Sequence, residues 1–471
     1  MLIYKNLENN LSKVKCDLGN SSDLNVRILK INQTFQVALL YVDGLSDKKF
    51  IEKGIVESLL ELKKTETFVP HIHYVKEKLI TIPEVTTVSE YSDLYTALLS
   101  GDTIIFMDGN DEAFLANTRK WEERSVEEPT TQVVVRGPKE GFTENITVNT
   151  ALIRRKIKDE NLWLETKEIG RVTKTSVALM YLNGTVEKNV LTEVHHRLDK
   201  IDTDSILESG YIEEFIQDSS YSPFPTVFNT ERPDVIAAGI LEGRVAIIID
   251  GTPFVLLVPA LFSHFIQASE DYYNRSDFGL IRMLRILCLG IALLAPSVYI
   301  ALTTFHQETI PTVLLISLAS QREGVPFPAF FEALLMEFTF EILREAGIRM
   351  PRMVGQALSI VGALVIGQAA VEAGFISAAM VIVVAITAIA SFIVPGYSIA
   401  ISIRILRFVM MILAATFGFY GITIGVIAMI LHLSHLKSFS VPFMTNFGPF
   451  KWQNQRDVIL RLPHKKLHEN R

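Results

Sequence analysis

Cysteine is nearly missing from the 471-residue sequence, which contains only Cys16 and Cys288. The first lies in a polar segment and the second in a long apolar run, so the pair does not form a disulfide framework. The apolar N-terminal segment typical of a secretory signal is also lacking, because the chain begins MLIYKNLENNLSKVK. We therefore expect the polar N-terminal half to stay in the cytoplasm.

Dense positive charge is absent as well. The sequence has 45 Lys and Arg against 52 Asp and Glu, a net charge of −7, and no basic cluster of the density typical of nucleic-acid-binding proteins. No Walker loop, GxGxxG, HExxH or GxSxG motif occurs in a fitting context. His71 and His73 alternate as strand residues can, but no third metal ligand is nearby. These absences predict no enzyme, no cofactor, no metal site and no nucleic-acid partner.

Charge of either sign is scarce in the last third of the chain. Between Met353 and Ile403 the only charged side chain is Glu372, and none occurs from Phe408 to Leu436. An apolar run of about 18 residues is long enough to cross ~30 Å of hydrocarbon as a helix. The sequence therefore predicts an all-α polytopic membrane bundle with spans at 280–303, 354–372, 375–394 and 405–433.

The flanks of these runs refine the prediction. Arg282 and Arg285 begin the first span, and the positive-inside rule places that end in the cytoplasm. The run at 310–320 is too short to cross alone, so we expect a re-entrant or interfacial segment. Pro395 breaks the chain between two spans. The last run has glycines near its middle, beginning at Gly418, and is either one tilted helix or a broken pair.

The 354–372 span carries several candidate functional residues. Small residues recur at every fourth position and form a ridge that the backbone of another helix can approach closely: Gly355, Ser359, Ala363 and Gly367. Val361 is a candidate pore residue in the same span. Gln368 and Glu372 lie one turn apart at its end, where they form either a polar contact between helices or part of a pore mouth.

The preceding segment, FFEALLMEFTFEILREAGIRMPR, mixes apolar and acidic residues. On a helix Glu337, Glu341 and Glu345 share one face, whereas Glu332 lies well around it. Carboxylates in apolar surroundings are costly unless they are paired or hydrated. The acids either line a water-filled cavity in an oligomer, where they favour cations, or lie in the headgroup region. In the second interpretation their partners are Arg344, Arg349 and Arg352.

The polar half contains an internal repeat. VALLYVDG at 37–44 matches VALMYLNG at 177–184, at an offset of 140. LLSGDTIIFMDG, ending at Gly109, matches ILEGRVAIIIDG, ending at Gly251, at an offset of 142. Two matches in one order and at nearly one spacing predict a tandem duplication of one βα module. Asp250 and Gly251 interrupt a long apolar stretch and predict a hairpin there, not a membrane span.

These patterns divide the chain into five regions. We expect a loose lead-in at 1–33, a soluble α/β module at 34–130, a linker helix with a second α/β module at 131–275, a transmembrane bundle at 276–436 and a basic tail at 437–471. Thr143 is the expected cap of the linker helix, which carries a basic run from Arg154 to Lys158. That run faces solvent, acidic lipid headgroups or a neighbouring subunit.

Several longer motifs, in one order over about residues 30–440, resemble the A subunit of the GerA family of spore germination receptors. They are VVVRGPKEGFTEN (133–145), ERPD (231–234), EGRVAIIIDGTPFVLLVPA (242–260), EDYY (270–273), RMPRMVGQALSIVGALVIGQAAVEAG (349–374) and VPGY (394–397). The residues carried over from these motifs, without an assigned chemical role, are Arg136, Gly137, Pro138, Glu140, Gly141, Arg232, Pro233, Asp234, Glu242, Arg244, Asp250, Pro253, Pro351 and Pro395.

The resemblance implies a multi-pass protein of the spore inner membrane. It also implies two partners, a transporter-like B subunit that binds the nutrient and a lipoprotein C subunit. A subunits of this family resemble oligomeric ion channels, expected to be pentameric, that release monovalent cations when the nutrient binds. Two hypotheses follow for this chain, a channel-forming receptor subunit and a non-conducting membrane scaffold that docks the partner subunits.

Overall fold

The computed structural model describes residues 1–32, 35–61, 85–120, 129, 132, 134, 136–272, 278–349 and 367–448. They divide into two compact units. The α/β unit comprises Met1–Gln217 and Val227–Pro259, and the helical unit comprises Asp218–Thr226 and the described residues from Ala260 onward. The structure thus places 260–272 in the helical unit, whereas the sequence assigned this segment to the second α/β module.

The α/β unit contains short strands and helices in alternation. Its strands are β1 (Leu24–Asn32), β2 (Phe35–Val42), β3 (Val85–Val88), β4 (Thr103–Met107), β5 (Ala113–Ala116), β6 (Leu162–Ile169), β7 (Thr175–Leu182), β8 (Phe228–Thr230), β9 (Val245–Ile249) and β10 (Val255–Val258). Its helices are α1 (Leu7–Asp17), α2 (Lys48–Phe50, Ile51–Val56 and Glu57–Glu61, with a π-helical middle), α3 (Tyr91–Leu98), α4 (Ile146–Lys156), α5 (Lys188–Asp199), α6 (Ser209–Ile216) and α7 (Pro233–Leu241).

Two five-stranded sheets share one topology. The strand order is β1-β2-β4-β5-β3 in the first sheet and β6-β7-β9-β10-β8 in the second, and neighbouring strands are antiparallel in both. Each strand of the first sheet has a counterpart in the second at nearly one spacing along the chain, as in β2 and β7 or β4 and β9. The two sheets therefore show the repeat that the sequence matches predicted. The hairpin predicted at Asp250 and Gly251 is confirmed, because β9 and β10 pair antiparallel on either side of it.

Both faces of the first sheet are covered by helices. Ala38 and Leu40 of β2 pack into one core cluster with residues of α1 and α3, and Val37 and Leu39 pack into a second cluster with residues of α2. This alternation is the two-residue period of a strand. Every residue of β4 is buried, which is why its sequence is a continuous apolar run.

The predicted loose lead-in at 1–33 instead forms α1 and β1, which complete the first module. The side chain of Asn6 accepts a hydrogen bond from the amide of Asn9 and caps α1. Leu7, Leu11 and Val14 bury one face of that helix because their spacing is helical. β1 pairs with the full length of β2. The first module therefore begins near the N-terminus.

The basic run predicted on the linker helix is not a solvated face. Helix α4 is capped by Asn145, not by the expected Thr143. Arg154 is 1% exposed, and its Nη2 lies 2.9 Å from Oδ1 of Asp23. The next two basic residues lie 3.4 and 3.2 Å from carboxylate oxygens of Glu140. The helix is therefore an integral part of the second module, and Arg154 joins it to the first.

The helical unit contains α8 (Phe262–Ile266), α9 (Phe278–Thr304), α10 (Thr312–Arg322), α11 (Ala329–Arg349), α12 (Gly367–Glu372), α13 (Ala378–Ile393), α14 (Tyr397–Phe417) and α15 (Phe419–His435), followed by the short strands β11 (Lys437–Ser438) and β12 (Val441–Pro442). Its core joins apolar residues of α9, α11, α13, α14 and α15. The basic tail predicted from 437 onward therefore begins with ordered residues. Its charged end lies outside the described range.

Two stretches of the described helical unit, Leu280–Thr304 and Tyr397–His435, are long and apolar enough to cross a membrane. The second is a broken pair, one of the two predicted alternatives, because Gly418 adopts φ 59° between α14 and α15. Helix α10 has 11 residues, in agreement with the prediction that this run is too short to cross. Helix α13 has 16 residues. Most of the predicted 354–372 span lies outside the described residues.

Candidate functional site: ion pairs inside the helical unit

Glu337 and Arg407 form an ion pair between α11 and α14. Oε2 of Glu337 accepts a hydrogen bond from Nη1 of Arg407 at 2.5 Å, and both side chains are 1% exposed. Nε of Arg407 donates to the carbonyl oxygen of Ala292 in α9 at 2.6 Å. One buried guanidinium therefore links three apolar helices.

A second pair lies one turn along the same helices. Oε2 of Glu341 accepts a hydrogen bond from Nη1 of Arg404 at 2.9 Å, and its Oε1 lies 3.8 Å from Nη1 of Arg344. Arg344 also donates to Oγ of Ser391 in α13 at 2.7 Å. Its guanidinium carbon lies 4.9 Å from the ring centroid of Phe340 and 4.8 Å from that of Phe392. The planar guanidinium of Arg344 is thus stabilised both by hydrogen bonding and by cation–π contacts with two aromatic rings.

Glu332 forms a third polar contact at the beginning of α13. Its side chain is fully buried, and Oε2 accepts a hydrogen bond from the backbone amide of Ser377 at 2.9 Å. Its Oε1 lies 3.4 Å from Nε of Arg322 in α10. Ser377 in turn caps α13. The carboxylate therefore holds the ends of three helices together, with the negative charge near the positive end of the α13 dipole.

The network does not satisfy every polar atom that it buries. Desolvating a charge costs several kcal/mol per ion, and a pair recovers that cost only when its remaining atoms are bonded too. Among the described residues, buried side-chain atoms without a hydrogen-bond partner include Oε1 of Glu337, Nη2 of Arg407, Oε1 of Glu341, Nε of Arg344 and Nε of Arg404. The cluster therefore buries charged groups whose desolvation is only partly compensated by hydrogen bonds.

The acidic residues predicted from the sequence thus have different surroundings. Glu332 and Glu337 are buried within one chain, and Glu341 is largely buried. Glu345 is exposed and pairs with Arg349 at 2.6 Å. This last pair, and the contact of Arg344 with Glu341, match the interpretation in which the acids are paired with arginines. Its third arginine lies outside the described residues.

Sequence reasoning missed the partners of Glu337 and Glu341. Arg404 and Arg407 stand at the start of the predicted 405–433 span, and both point into the network. A signal was present in the sequence. Arg404 and Arg407 are three residues apart in one apolar run, and Glu337 and Glu341 are four residues apart in another. Each spacing places both residues of a pair on one face of a helix.

The remaining candidates in this region are only partly described. Gln368 donates to Oε1 of Glu372 at 3.0 Å, and both side chains are exposed. Gly367 is buried, and a Cβ on it would lie 3.6 Å from Val381 of α13, so the ridge does meet a helix at this point. Outside the described residues lie Pro351, Gly355, Ser359, Val361 and Ala363, together with His71 and His73. Pro395 lies between α13 and α14.

The predicted topology marker at the start of α9 is also an ion-pair site. Arg282 and Arg285 are buried and both contact Oδ2 of Asp271, at 3.1 and 2.8 Å. Asp271 belongs to the EDYY motif. One carboxylate therefore balances part of the positive charge that begins the span.

The motif residues of the second module surround one loop, at 136–141. Arg232 is 1% exposed, and its Nη2 donates to the carbonyl oxygen of Pro138 at 2.9 Å and to Oδ2 of Asp234 at 2.7 Å. Arg232 lies between β8 and α7, and Pro233 begins α7. Arg136 is exposed, and Gly137 has φ 148°, a backbone angle that favours glycine. The loop is thus held to the second sheet by a buried arginine.

The other motif residues in this module also make structural contacts. Oδ1 of Asp250 accepts a hydrogen bond from the amide of Ile146, the first residue of α4, at 3.0 Å. Glu242 pairs with Arg244 at 2.6 Å. Gly141 and Pro253 lie in the loops that precede α4 and β10. None of these described contacts brings together a nucleophile and a base, and the described residues contain no group of three or more His, Cys, Asp or Glu that could hold a metal ion.

The chain thus combines a duplicated α/β unit with a helical unit that has two stretches long and apolar enough to cross a membrane. Similarity to known proteins identifies the family more specifically than the fold does. The family model described as Bacillus/Clostridium GerA spore germination protein matches residues 12–471, so the chain belongs to the GerA family. This confirms the resemblance found in the motifs.

Named relatives are similar over nearly the whole chain. Spore germination protein KA of Bacillus subtilis (strain 168) is 50% identical over 98% of this chain and 86% of that protein. Spore germination protein GerLA of Bacillus cereus is 40% identical over 98% of this chain and 94% of that protein. The crystal structure of the N-terminal domain of the A subunit of the Bacillus megaterium spore germinant receptor GerK3 is 39% identical, covers 56% of this chain and 98% of that chain, and has a TM-score of 0.45.

Proposed function

We propose that this chain is the A subunit of a nutrient germinant receptor in the spore inner membrane. In this proposal several copies, five being the expected number, surround a pathway for monovalent cations that opens when the nutrient binds. The receptor also contains the transporter-like B subunit and the lipoprotein C subunit, and the α/β unit lies in the cytoplasm. Family membership and relatives named spore germination proteins support the first part.

One observation carries the channel proposal. Glu372 is the only charged side chain between Met353 and Ile403, and it is exposed on the surface of the helical unit next to Gln368. A carboxylate at an apolar helix surface is costly in hydrocarbon and is stable where it faces water. Copies arranged about a common axis would place this residue at a hydrated centre and create a ring of negative charge that favours cations.

The proposal divides the predicted site residues into two groups. Val361, Gln368 and Glu372 line the pathway. Glu332, Glu337 and Glu341 belong to gating, because their buried ion pairs hold α11 against its neighbours. A rearrangement of α11 and α14 that exchanges these pairs would alter the packing around the pathway.

Potassium release from spores in a nutrient mixture that triggers the wild type tests this assignment. Glu372→Gln removes the proposed ring, so we expect the rate of potassium release to fall about tenfold, because cations are no longer concentrated at the mouth. Val361→Trp should block release by filling the pathway. The matched control is Glu345→Gln, which removes an exposed carboxylate of α11. Equal release from all three variants, at wild-type protein levels, would refute the pore assignment.

The scaffold is the second candidate, and one surface favours it. Tyr211 and Phe215 lie four residues apart on α6 and are 44% and 51% exposed, and the adjacent Leu207 is 64% exposed. An apolar helix face of this kind is suited to docking another subunit. The scaffold hypothesis predicts that the purified full-length protein is a monomer in detergent and gives no conductance in liposomes. The channel hypothesis predicts an oligomer that conducts.

A further inference from the structure

The segment 218–226 connects two parts of the α/β unit but packs in the helical unit, and we name it the strap. The strap is fixed at several points. The carbonyl oxygen of Thr226 accepts a hydrogen bond from Oγ of Ser438 at 2.7 Å, and Oδ2 of Asp218 accepts one from the amide of Phe439 at 3.0 Å. Oγ of Ser402 donates to the carbonyl oxygen of Pro223. The strap therefore has a defined position beside α14 and α15.

An apolar groove lies between the strap and these two helices. Its volume is about 300 Å³, and its walls include Leu406, Met410 and Leu413 of α14 and Gly425 of α15. Phe224 of the strap forms another wall. The lining from Leu406 to Leu413 corresponds to about 10 Å of helix at 1.5 Å per residue. A groove of this length and composition accepts a flexible hydrocarbon segment, and methionine in its wall adapts to such a chain.

His432 also lines the groove, and two further basic residues follow it in the chain. Nε2 of His432 lies 2.9 Å from Oγ of Ser222, and the His432 ring lies 6.1 Å from the ring of Phe224. His435 follows one turn later in α15, and Lys437 begins β11, both with exposed side chains. An apolar groove with basic residues beside it is complementary to a molecule with a hydrocarbon tail and an anionic head.

We propose that this groove binds one acyl chain of a membrane phospholipid, whose phosphate lies at the basic end formed by His432, His435 and Lys437. The inference rests on the proposed membrane location, because α14 and α15 then lie among lipid tails, but it does not depend on conduction. A bound acyl chain fixes the strap against α14 and α15. Lipid composition thereby affects how firmly the strap is held.

Photolabelling of the full-length protein in liposomes tests the site. The probe is a phosphatidylglycerol with a diazirine in one acyl chain, and labelled residues are mapped by mass spectrometry. We expect labels to concentrate at 406–413 and 425–429. Ala428 lines the groove, so Ala428→Phe fills it and should lower labelling of α14 about tenfold, equivalent to ~1.4 kcal/mol. Ile427→Phe is the matched control, because Ile427 is 52% exposed and does not line the groove.

A second arm tests the phosphate end. The double variant His435→Gln, Lys437→Gln should reduce labelling by the phospholipid probe and leave labelling by a diazirine fatty alcohol unchanged. Equal labelling of both probes in wild type and variant would overturn the phospholipid assignment. Even labelling along all exposed residues of α15, or a Val409→Cys disulfide between two copies with no label in the groove, would overturn the site itself. Potassium flux measured on the same liposomes reports on the channel separately.

Discussion

Glu337 is held inside the helical unit by Arg407, whose guanidinium also reaches the backbone of α9. A carboxylate in this position is stable only while its cation is present, because either charge alone would remain buried without compensation. The geometry of the pair therefore determines how α9, α11 and α14 pack. It also makes the pair sensitive to any motion of these helices.

Glu337→Leu should destabilise the full-length protein by about 3–5 kcal/mol, since it leaves Arg407 buried and unpaired. The double variant Glu337→Leu, Arg407→Leu should recover most of that loss. Denaturant unfolding in detergent measures both. Glu345→Leu is the control, because its partner Arg349 is exposed and such surface pairs contribute about 0–1 kcal/mol. A double variant as unstable as the single one would contradict the prediction.

Glu213 in α6 gives a prediction about pH. Burial raises the pKa of its carboxyl, although a hydrogen bond from Asn229 opposes the shift, and the nearby charge of Glu208 adds to it. A raised folded-state pKa contributes stability below the unfolded value of about 4.3 and loses it as the pH rises through the folded value. Glu213→Gln keeps the acceptor for Asn229 and should raise the melting temperature at pH 7 but not at pH 4. Glu214→Gln, at an exposed neighbouring position, should have no such effect.

At the scale of the element, the break between α14 and α15 creates a helical hairpin. Gly418 has φ 59°, a conformation that glycine adopts without strain, and the chain reverses there. Gly421 lies close to α14, where a Cβ would be 2.1 Å from the carbonyl oxygen of Leu413. The small residue is therefore required by the close approach of the two helices.

Gly421→Ala should destabilise the protein by about 1–3 kcal/mol, because overpacking forces the helices of the hairpin apart. Gly290 in α9 is the matched control, since a Cβ there meets no heavy atom within 4 Å. Gly290→Ala should be neutral or should stabilise by up to about 1 kcal/mol through helix propensity. Thermal unfolding of the full-length protein in detergent compares the two. Equal melting temperatures would refute the close-approach argument.

At the scale of the whole molecule, the two α/β modules are linked by more than their connecting chain. Arg154 of the second module and Asp23 of the first form a buried ion pair, and the amide of Ser22 donates to the carbonyl oxygen of Leu164 in β6 at 3.0 Å. The duplicated modules therefore form one compact unit.

Asp23→Asn should weaken the junction between the modules, because it removes the charge that compensates the buried Arg154. We expect hydrogen exchange to accelerate in 21–26 and in α4, with smaller changes in β4 and β9, the central strands. Asp43→Asn is the control, since Asp43 pairs with the exposed Lys48. Uniform acceleration over the whole α/β unit would show general unfolding and contradict the local effect.

The sequence by itself determined the features that depend on local pattern and spacing. These are the internal repeat of the polar half, the hairpin at Asp250 and the apolar stretches at the start of α9 and through α14 and α15. Family membership followed from motifs that are contiguous in the chain. Each of these features depends on residues close in sequence or on a match between two short segments, so it can be recognised without the tertiary structure.

Only the tertiary structure decided which charges meet. Asp23 and Arg154 are 131 residues apart, and Glu337 and Arg407 are 70 residues apart. The spacing within a helix shows which of its residues share a face, but not which faces meet. The segment 1–33 was predicted to be a loose lead-in because its composition is polar. One face of α1 in this segment is nevertheless buried, because the first sheet lies beside it. Burial and ion pairing are properties of packed surfaces, and those surfaces exist only after the chain has folded.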